Sequence, residues 1–266
     1  MLLYRPPKDS RLTPFIEALW TCEARDLSGL ERVLPIGRAQ LFINLHGDAL
    51  HHYDAEGSVR QRASGMVVQG PVVAPVVIDR AEQRKLCGVL FSVGGAYACF
   101  GVPVSEIGGG LVDLDRLAWR EPGRLHQRLL SAPDPEARLD ALEAAFLDRR
   151  PAAQDWDVIA HEAAALLRAG ASVRTVAQQF DTSQQTLITR FRERTGLTPK
   201  TFSRIERFQR IVRRTPFAAS WADAALDAGF SDQSHMVREF RRFAAITPTA
   251  YRPRAESGRN HVAMLA

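Results

Sequence analysis

The sequence predicts an α+β chain, with a β-rich N-terminal half and an all-α C-terminal domain. Three observations carry this. Residues 30–92 hold short apolar runs broken by Gly, Pro and Asp, the pattern of a small sandwich or barrel. Residues 173–251 hold one helix-turn-helix pattern twice: FRERTGLTP at 191–199 aligns with FRRFAAITP at 240–248, an offset of 49 residues. The charge is divided as well. Residues 157–254 carry 16 Lys plus Arg against 9 Asp plus Glu, a net of +7, whereas residues 1–156 carry 18 against 20, a net of −2.

Taken in order, residues 2–7 read as extended and end in Pro6-Pro7. Residues 12–21 place Phe15, Ile16, Leu19 and Trp20 at the spacing of a short amphipathic helix, or of a helix leading into a strand. Residues 32–36 and 40–45 read as strands around Pro35-Ile36-Gly37, and 65–71, 74–78 and 85–92 are β-rich. Residues 94–103 suggest a short helix closed by Gly101. Residues 125–130 and 136–147 have helical periodicity, the latter with Leu139, Leu142, Ala145 and Phe146 on one face. The polar segment 148–158, DRRPAAQDWDV, has no period and reads as a linker. The expected domains are therefore 1–150 and 157–254.

In the second domain, 159–168 is the expected first helix. Residues 173–180 follow, with Val176, Ala177 and Phe180 inward. Asp181-Thr182-Ser183 makes a turn, and the Ser183 hydroxyl can accept from the free N–H groups of the next helix. Residues 199–214 form a joining helix that buries Phe202, Ile205, Phe208, Ile211 and Val212. Its Arg204, Arg207, Arg210, Arg213 and Arg214 lie mostly elsewhere, as a solvated face or as phosphate contacts. After a helix at 223–228, Gly229 permits a sharp turn because it takes positive φ without steric cost. Ser231 or Asp232 caps a last helix that buries Met236, Val237 and Phe240 and leaves Gln233, Ser234, His235 and Arg238 free. The tail after Pro253 has little pattern and is expected to be mobile.

Composition narrows the function classes. Of 266 residues 45% are hydrophobic, ample for a core, and the length suggests two domains. Cys22, Cys87 and Cys99 are odd in number, lack metal-ligand spacing, and suit a reducing compartment as small buried hydrophobes. No apolar run nears the roughly 18 residues of a spanning helix, and the N-terminus lacks a signal-peptide pattern. The expectation is a cytoplasmic protein with no membrane partner. A basic domain beside a mildly acidic one is the electrostatic footprint of nucleic-acid binding.

Two such units, joined by a long helix and each ending in a G-x-T-P-like turn, resemble the AraC/XylS family of transcription regulators over roughly residues 158–253. The markers are Ala177, Leu187, Phe191, Gly196, Thr198 and Pro199, then Ala225, Gly229, Phe230, Phe240, Thr247, Pro248, Tyr251 and Arg252. The chain departs from the pattern at Ala245, where the family usually has Gly, and at Thr189, where it often places Arg. The N-terminal half is similar to a group of these regulators with a YRPP opening (residues 4–7), an LP-x-G…INL stretch (34–45) and an F-x-x-GGAYxxFGVP segment (91–103).

The resemblance implies a degenerate cupin-type barrel that senses a small molecule or mediates association. Trailing helices would serve a dimer interface or pack on their own barrel. It implies a sequence-specific transcription regulator on double-stranded DNA, with a small-molecule effector or a homodimer as further partners. Base-facing positions by this match are Gln184, Gln185, Ile188 and Thr189 in the first unit and Gln233, Ser234, His235 and Arg238 in the second. Gln suits adenine and Arg suits guanine; His235 is placed for a base or a phosphate.

The alternative class is an enzyme: a cupin-type metal enzyme, or a DNA-repair protein carrying a helix-turn-helix. Cupin metal sites use an H-x-H pair, a later Glu and another His. Here His51 and His52 are adjacent, so in a strand they point to opposite faces. Asp113 and Asp115 read as a solvated loop rather than a carboxylate pair. Ser92 and Ser105 lack a nucleophile elbow. No cysteine cluster supports repair. The expectation is no catalytic residue, no metal and no cofactor.

Overall fold

The computed structural model of the chain describes residues 2–24, 27–214, 221–254 and 258–264. Its strands are β1 (Leu2–Arg5), β2 (Ile16–Glu23), β3 (Leu30–Val33), β4 (Gln40–Asn44), β5 (Ala49–Tyr53), β6 (Val59–Ser64), β7 (Met66–Gln69), β8 (Val76–Asp79), β9 (Lys85–Phe91), β10 (Leu111–Asp113), β11 (Pro253–Arg254) and β12 (Gly258–Ala263). They form two six-stranded sheets in a barrel-like sandwich, ordered β1-β2-β9-β4-β7-β10 and β11-β12-β3-β8-β5-β6. The helices are α1 (Gly95–Phe100), α2 (Val104–Ile107), α3 (Pro122–Leu130), α4 (Pro135–Arg149), α5 (Asp155–Arg168), α6 (Val173–Gln179), α7 (Gln184–Thr195), α8 (Pro199–Arg214), α9 (Trp221–Asp227) and α10 (Gln233–Ala244).

Three expectations are corrected. Residues 16–23 are a strand, not a helix; the register shift between Ile16 and Ala18 against β9 breaks the alternation and leaves Ile16, Ala18, Leu19 and Thr21 buried. The expected linker is shorter, because α5 starts at Asp155. Gln154 and Asp157 form a capping box there, the Gln154 N–H donating to Asp157 Oδ2 at 2.7 Å. The described part of the tail, residues 258–264, also has a fixed place. β12 pairs antiparallel with β3, His261 opposite Val33 and Ala263 opposite Glu31, so the C-terminal part is not wholly helical.

The larger apolar cluster of the N-terminal half joins the first sheet to α1–α4. Leu139, Leu142, Ala145 and Phe146 of α4 are buried in it, with the Phe146 ring 5.1 Å from that of Trp119. The apolar faces of α3 and α4 thus pack on their own sheet. A second cluster joins α5–α10 and takes in Leu34, Val93 and Val262 from outside the helices. Phe202, Phe208, Phe240 and Phe243 lie at its centre and are almost fully buried; truncating one such ring to Ala costs about 3–5 kcal/mol.

α7 and α10 end alike. Gly196 closes α7 at φ 77°, and Ala245 closes α10 at φ 54°, its N–H donating to Arg241 O. A side chain with a Cβ is strained there, by about 1 kcal/mol or more. Ala245→Gly should therefore stabilise the chain by about 1 kcal/mol and raise the melting temperature by a few degrees. A lowered melting temperature in a calorimetric scan would contradict this.

Candidate nucleic-acid interface

The two helix-turn-helix units are built by the same local chemistry. In the first, Thr182 N–H donates to Ala177 O at 3.0 Å and the chain passes through Asp181 at φ 45°. In the second, Phe230 N–H donates to Ala225 O at 3.0 Å and the left-handed residue is Gly229, φ 83°. Ser183 caps α7 by accepting from Thr186 N–H at 3.0 Å; Asp232, not Ser231, caps α10 by accepting from His235 N–H at 2.7 Å. The second turn is one residue longer, so the offset between units is 48 up to the turn and 49 beyond it.

The capped helices present most of the residues singled out by the sequence. Gln184, Gln185 and Thr189 are exposed on α7, with Ile188 half-buried. Gln233, Ser234 and Arg238 are exposed on α10. His235 is half-buried, its ring edge-on to Phe230 at 5.3 Å and its Nδ1 3.1 Å from Ser231 Oγ, so the second turn holds it in place. Arg238 makes no ion pair among the described residues, since Asp232 serves the cap and Glu239 is taken by Arg204.

The arginines of the helical domain fall into two groups. Those on α8 mostly work inside the domain. Both Arg204 nitrogens Nε and Nη2 donate to the buried Glu239 carboxylate at 2.6 Å. The hydrogen bond from Arg204 holds that carboxyl below its ordinary range, against the opposing effect of burial. Arg210 donates to the Ala228 and Arg168 carbonyls. Arg207 lies over the Phe230 ring at 5.7 Å. The second group, Arg174, Arg192, Arg238, Arg241 and Arg242, is exposed and without an ion pair among the described residues. Arg192 is on α7 and Arg238, Arg241 and Arg242 are on α10, so both helices carry exposed positive charge.

The N-terminal half grips the first unit and α8. Arg38 Nη1 donates to Glu206 Oε1 at 2.9 Å, and Arg168 Nε donates to Glu206 Oε2 at 3.1 Å. Burial pushes the Glu206 carboxyl up, but Arg38 and Arg168 outweigh it and the net direction is down. Arg194 of α7, 5% exposed, donates to Asp157 Oδ1 at 3.0 Å and stacks over Tyr97 of α1 at 3.8 Å. A Cβ on Gly196 would meet the Pro71 ring at 2.9 Å, so the end of α7 touches the loop after β7. None of these contacts was singled out from the sequence, because their partners are 37 to 168 residues apart.

Between the two sheets lies a cavity of about 540 Å³. Trp20, Phe42, Leu50, Leu86 and Leu111 give it an apolar wall, and His52, Gln69, Arg38 and Arg80 add polar groups. His52 Nε2 sits 3.2 Å from Gln69 Nε2, and burial pushes its imidazole down to about 4, so it is neutral at pH 7. His51 instead pairs with Glu82 at 2.8 Å, so the two histidines have separate partners. Among the described residues no group of three His, Cys, Asp or Glu side chains converges as a metal site would require. No helix among them is long and apolar enough to cross a membrane.

Residues 176–254 match the model of a family described as a helix-turn-helix domain, and residues 4–113 match a domain of unknown function, DUF6597. No curated protein matches the sequence. An apo variant of ToxT from Vibrio cholerae superposes with a TM-score of 0.48 at 11% identity, over 93% of this chain and 98% of that one. ToxT of the same organism with a bound unsaturated fatty acid gives 0.47 at 11% identity, over 94% of each chain. The xylose-binding transcription activator xylR gives 0.32 at 16% identity, over 43% of this chain and 37% of that one.

Removing Arg204 tests the internal role of the α8 cations. Arg204→Met leaves the Glu239 carboxylate buried and unpaired, at a cost of about 3–5 kcal/mol. The wild-type pair lowers the folded pKa of Glu239, so its stabilisation is complete above the ordinary carboxylate value of about 4.3 and is lost as the pH falls through the lower folded value. In the variant, protonation relieves a buried charge. The stability gap between the two should narrow from pH 7 to pH 4 in denaturant titrations; a gap that is constant with pH contradicts the assignment.

Proposed function

We propose that this chain, whose residues 176–254 form an AraC-type helix-turn-helix domain, is a DNA-binding transcription regulator that reads duplex DNA with two helices. The observation that carries this reading is the repeated, capped helix-turn-helix whose second helices are exposed within a domain of net charge +7. α7 and α10 enter successive major-groove segments on one face of the DNA, about 34 Å apart. The exposed arginines around them meet phosphates, which position the protein, while base edges specify the site.

The base-reading set is Gln184, Gln185, Ile188 and Thr189 on α7 and Gln233, Ser234, His235 and Arg238 on α10. Arg238 is the strongest member. It is exposed and has no ion pair among the described residues, and its planar fork of donors matches guanine N7 and O6. Ile188 is half-buried, and His235 is held by Phe230 and Ser231, so both are weaker readers.

Residues 1–150 form the sensing part and residues 157–254 the reading part, and the protein works in the cytoplasm. The 540 Å³ cavity between the sheets is of the size small-molecule sites have and is the effector site. The apolar faces of α3 and α4 are covered by their own sheet, so a homodimer would use another surface.

Selection from a randomised duplex library at fixed salt tests the assignment. Arg238→Ala should relax specificity at one base pair and cost about 1–3 kcal/mol there, and Thr189→Ala should cost less. If Arg238→Ala keeps the wild-type base preference and weakens binding equally on all sequences, Arg238 grips a phosphate instead.

A further inference from the structure

One strand of the second sheet that lines the cavity comes from the far end of the chain. Arg259, Asn260 and His261 of β12 line it together with strands of the N-terminal half. β12 lies beyond the helix-turn-helix domain in sequence yet is bonded to both halves. Leu34 N–H donates to Asn260 O at 2.8 Å, which is sheet pairing with the N-terminal half. Gln209 Nε2 of α8 donates to Asn260 Oδ1 at 2.9 Å and to Pro35 O at 2.7 Å, so one buried amide ties α8, β12 and the segment after β3 together. Val262, 2% exposed, is packed in the apolar cluster of the helical domain. His261 pairs with Glu31, a carboxylate 2% exposed that Arg80 and Arg254 also approach, at 3.5 and 3.0 Å.

From this placement we propose that β12 completes the effector site, so that a ligand in the cavity is held jointly by strands of the N-terminal half and by a C-terminal strand bonded to α8. The inference rests on the cavity being the effector site. Its wall is apolar and carries three arginines, Arg38, Arg80 and Arg259, against one carboxylate, Glu31, with Arg38 paired to Glu206 and Arg80 to Glu31. The ligand class that fits is an apolar body with one anionic group. Such a ligand touches β12 directly, and by linkage whatever it does to the docking of β12 reaches α8 through Asn260 and Gln209.

The test uses the full chain and 8-anilinonaphthalene-1-sulfonate, an apolar aromatic with one anionic group, followed by its own fluorescence and by amide hydrogen exchange. Leu50→Trp fills the cavity from the apolar wall and should weaken the dye at least tenfold. In the wild-type chain the dye should slow exchange in residues 258–264 several-fold. Val262→Asp puts a charge where β12 is anchored and should weaken the dye about tenfold; Asn260→Ala should weaken it several-fold. A dye that is sensitive to Leu50→Trp, leaves exchange at 258–264 unchanged and binds Asn260→Ala as tightly as wild type overturns the role of β12 while leaving the cavity as the site. A dye indifferent to Leu50→Trp in a folded variant overturns the cavity reading and the inference with it. Should Leu50→Trp or Val262→Asp not fold, the wild-type exchange and Asn260→Ala still decide the role of β12.

Discussion

A single helix, α8, must satisfy three neighbours at once, and the rest of the molecule is arranged around that constraint. It buries Phe202, Ile205, Phe208, Ile211 and Val212 among the other helices. It also buries two polar side chains, Glu206 and Gln209, each 4% exposed. A buried carboxylate without a partner costs several kcal/mol. Glu206 is saved from that by Arg168 within the domain and by Arg38 from the N-terminal half. Gln209 finds Pro35 O and Asn260 Oδ1. The polar groups of α8 therefore require the N-terminal half and the C-terminal strand to be where they are.

The same helix sets what the two reading units can do. Phe202 packs on Phe191 of α7 at 5.5 Å, and Phe208 packs on Phe240 of α10 at 5.4 Å, so each unit is anchored by an aromatic pair on α8. The Arg204–Glu239 pair fixes α10 further, and Arg194 fixes α7 against α5 and α1. With Glu206 matched to Arg38 and Arg168, Glu239 to Arg204 and Asp157 to Arg194, Arg192 of α7 and Arg238 of α10 remain exposed without an ion pair among the described residues. Internal ion pairing thus decides which positive charges are available to DNA.

Much of this was legible in the sequence, for physical reasons. The caps Ser183 and Asp232, the turn at Gly229 and the apolar spacing of α8 are local signals, and each appears where the residues place it. Ala245, where the resemblance expects Gly, sits at φ 54°. The misses have local causes too. In β2 a register shift puts Ala18 and Leu19 both inside, which imitates helical spacing. β12, GRNHVA, has only Val262 as a well-buried apolar anchor and takes its order from pairing with a strand some 230 residues earlier. The arginines of α8 could not be sorted by sequence, because the internal role of Arg204 depends on the Glu239 carboxylate of α10, 35 residues away. The cavity was illegible for the same reason: its walls come from both ends of the chain.

In the proposed mode of binding, α8 holds α7 and α10 so that both read one face of the same duplex. Hydroxyl-radical footprinting on a duplex selected by the protein measures this most directly. Two protected windows whose centres lie about 10–10.5 base pairs apart, on one face, are expected. A single window, or two windows on opposite faces of the helix, would contradict it.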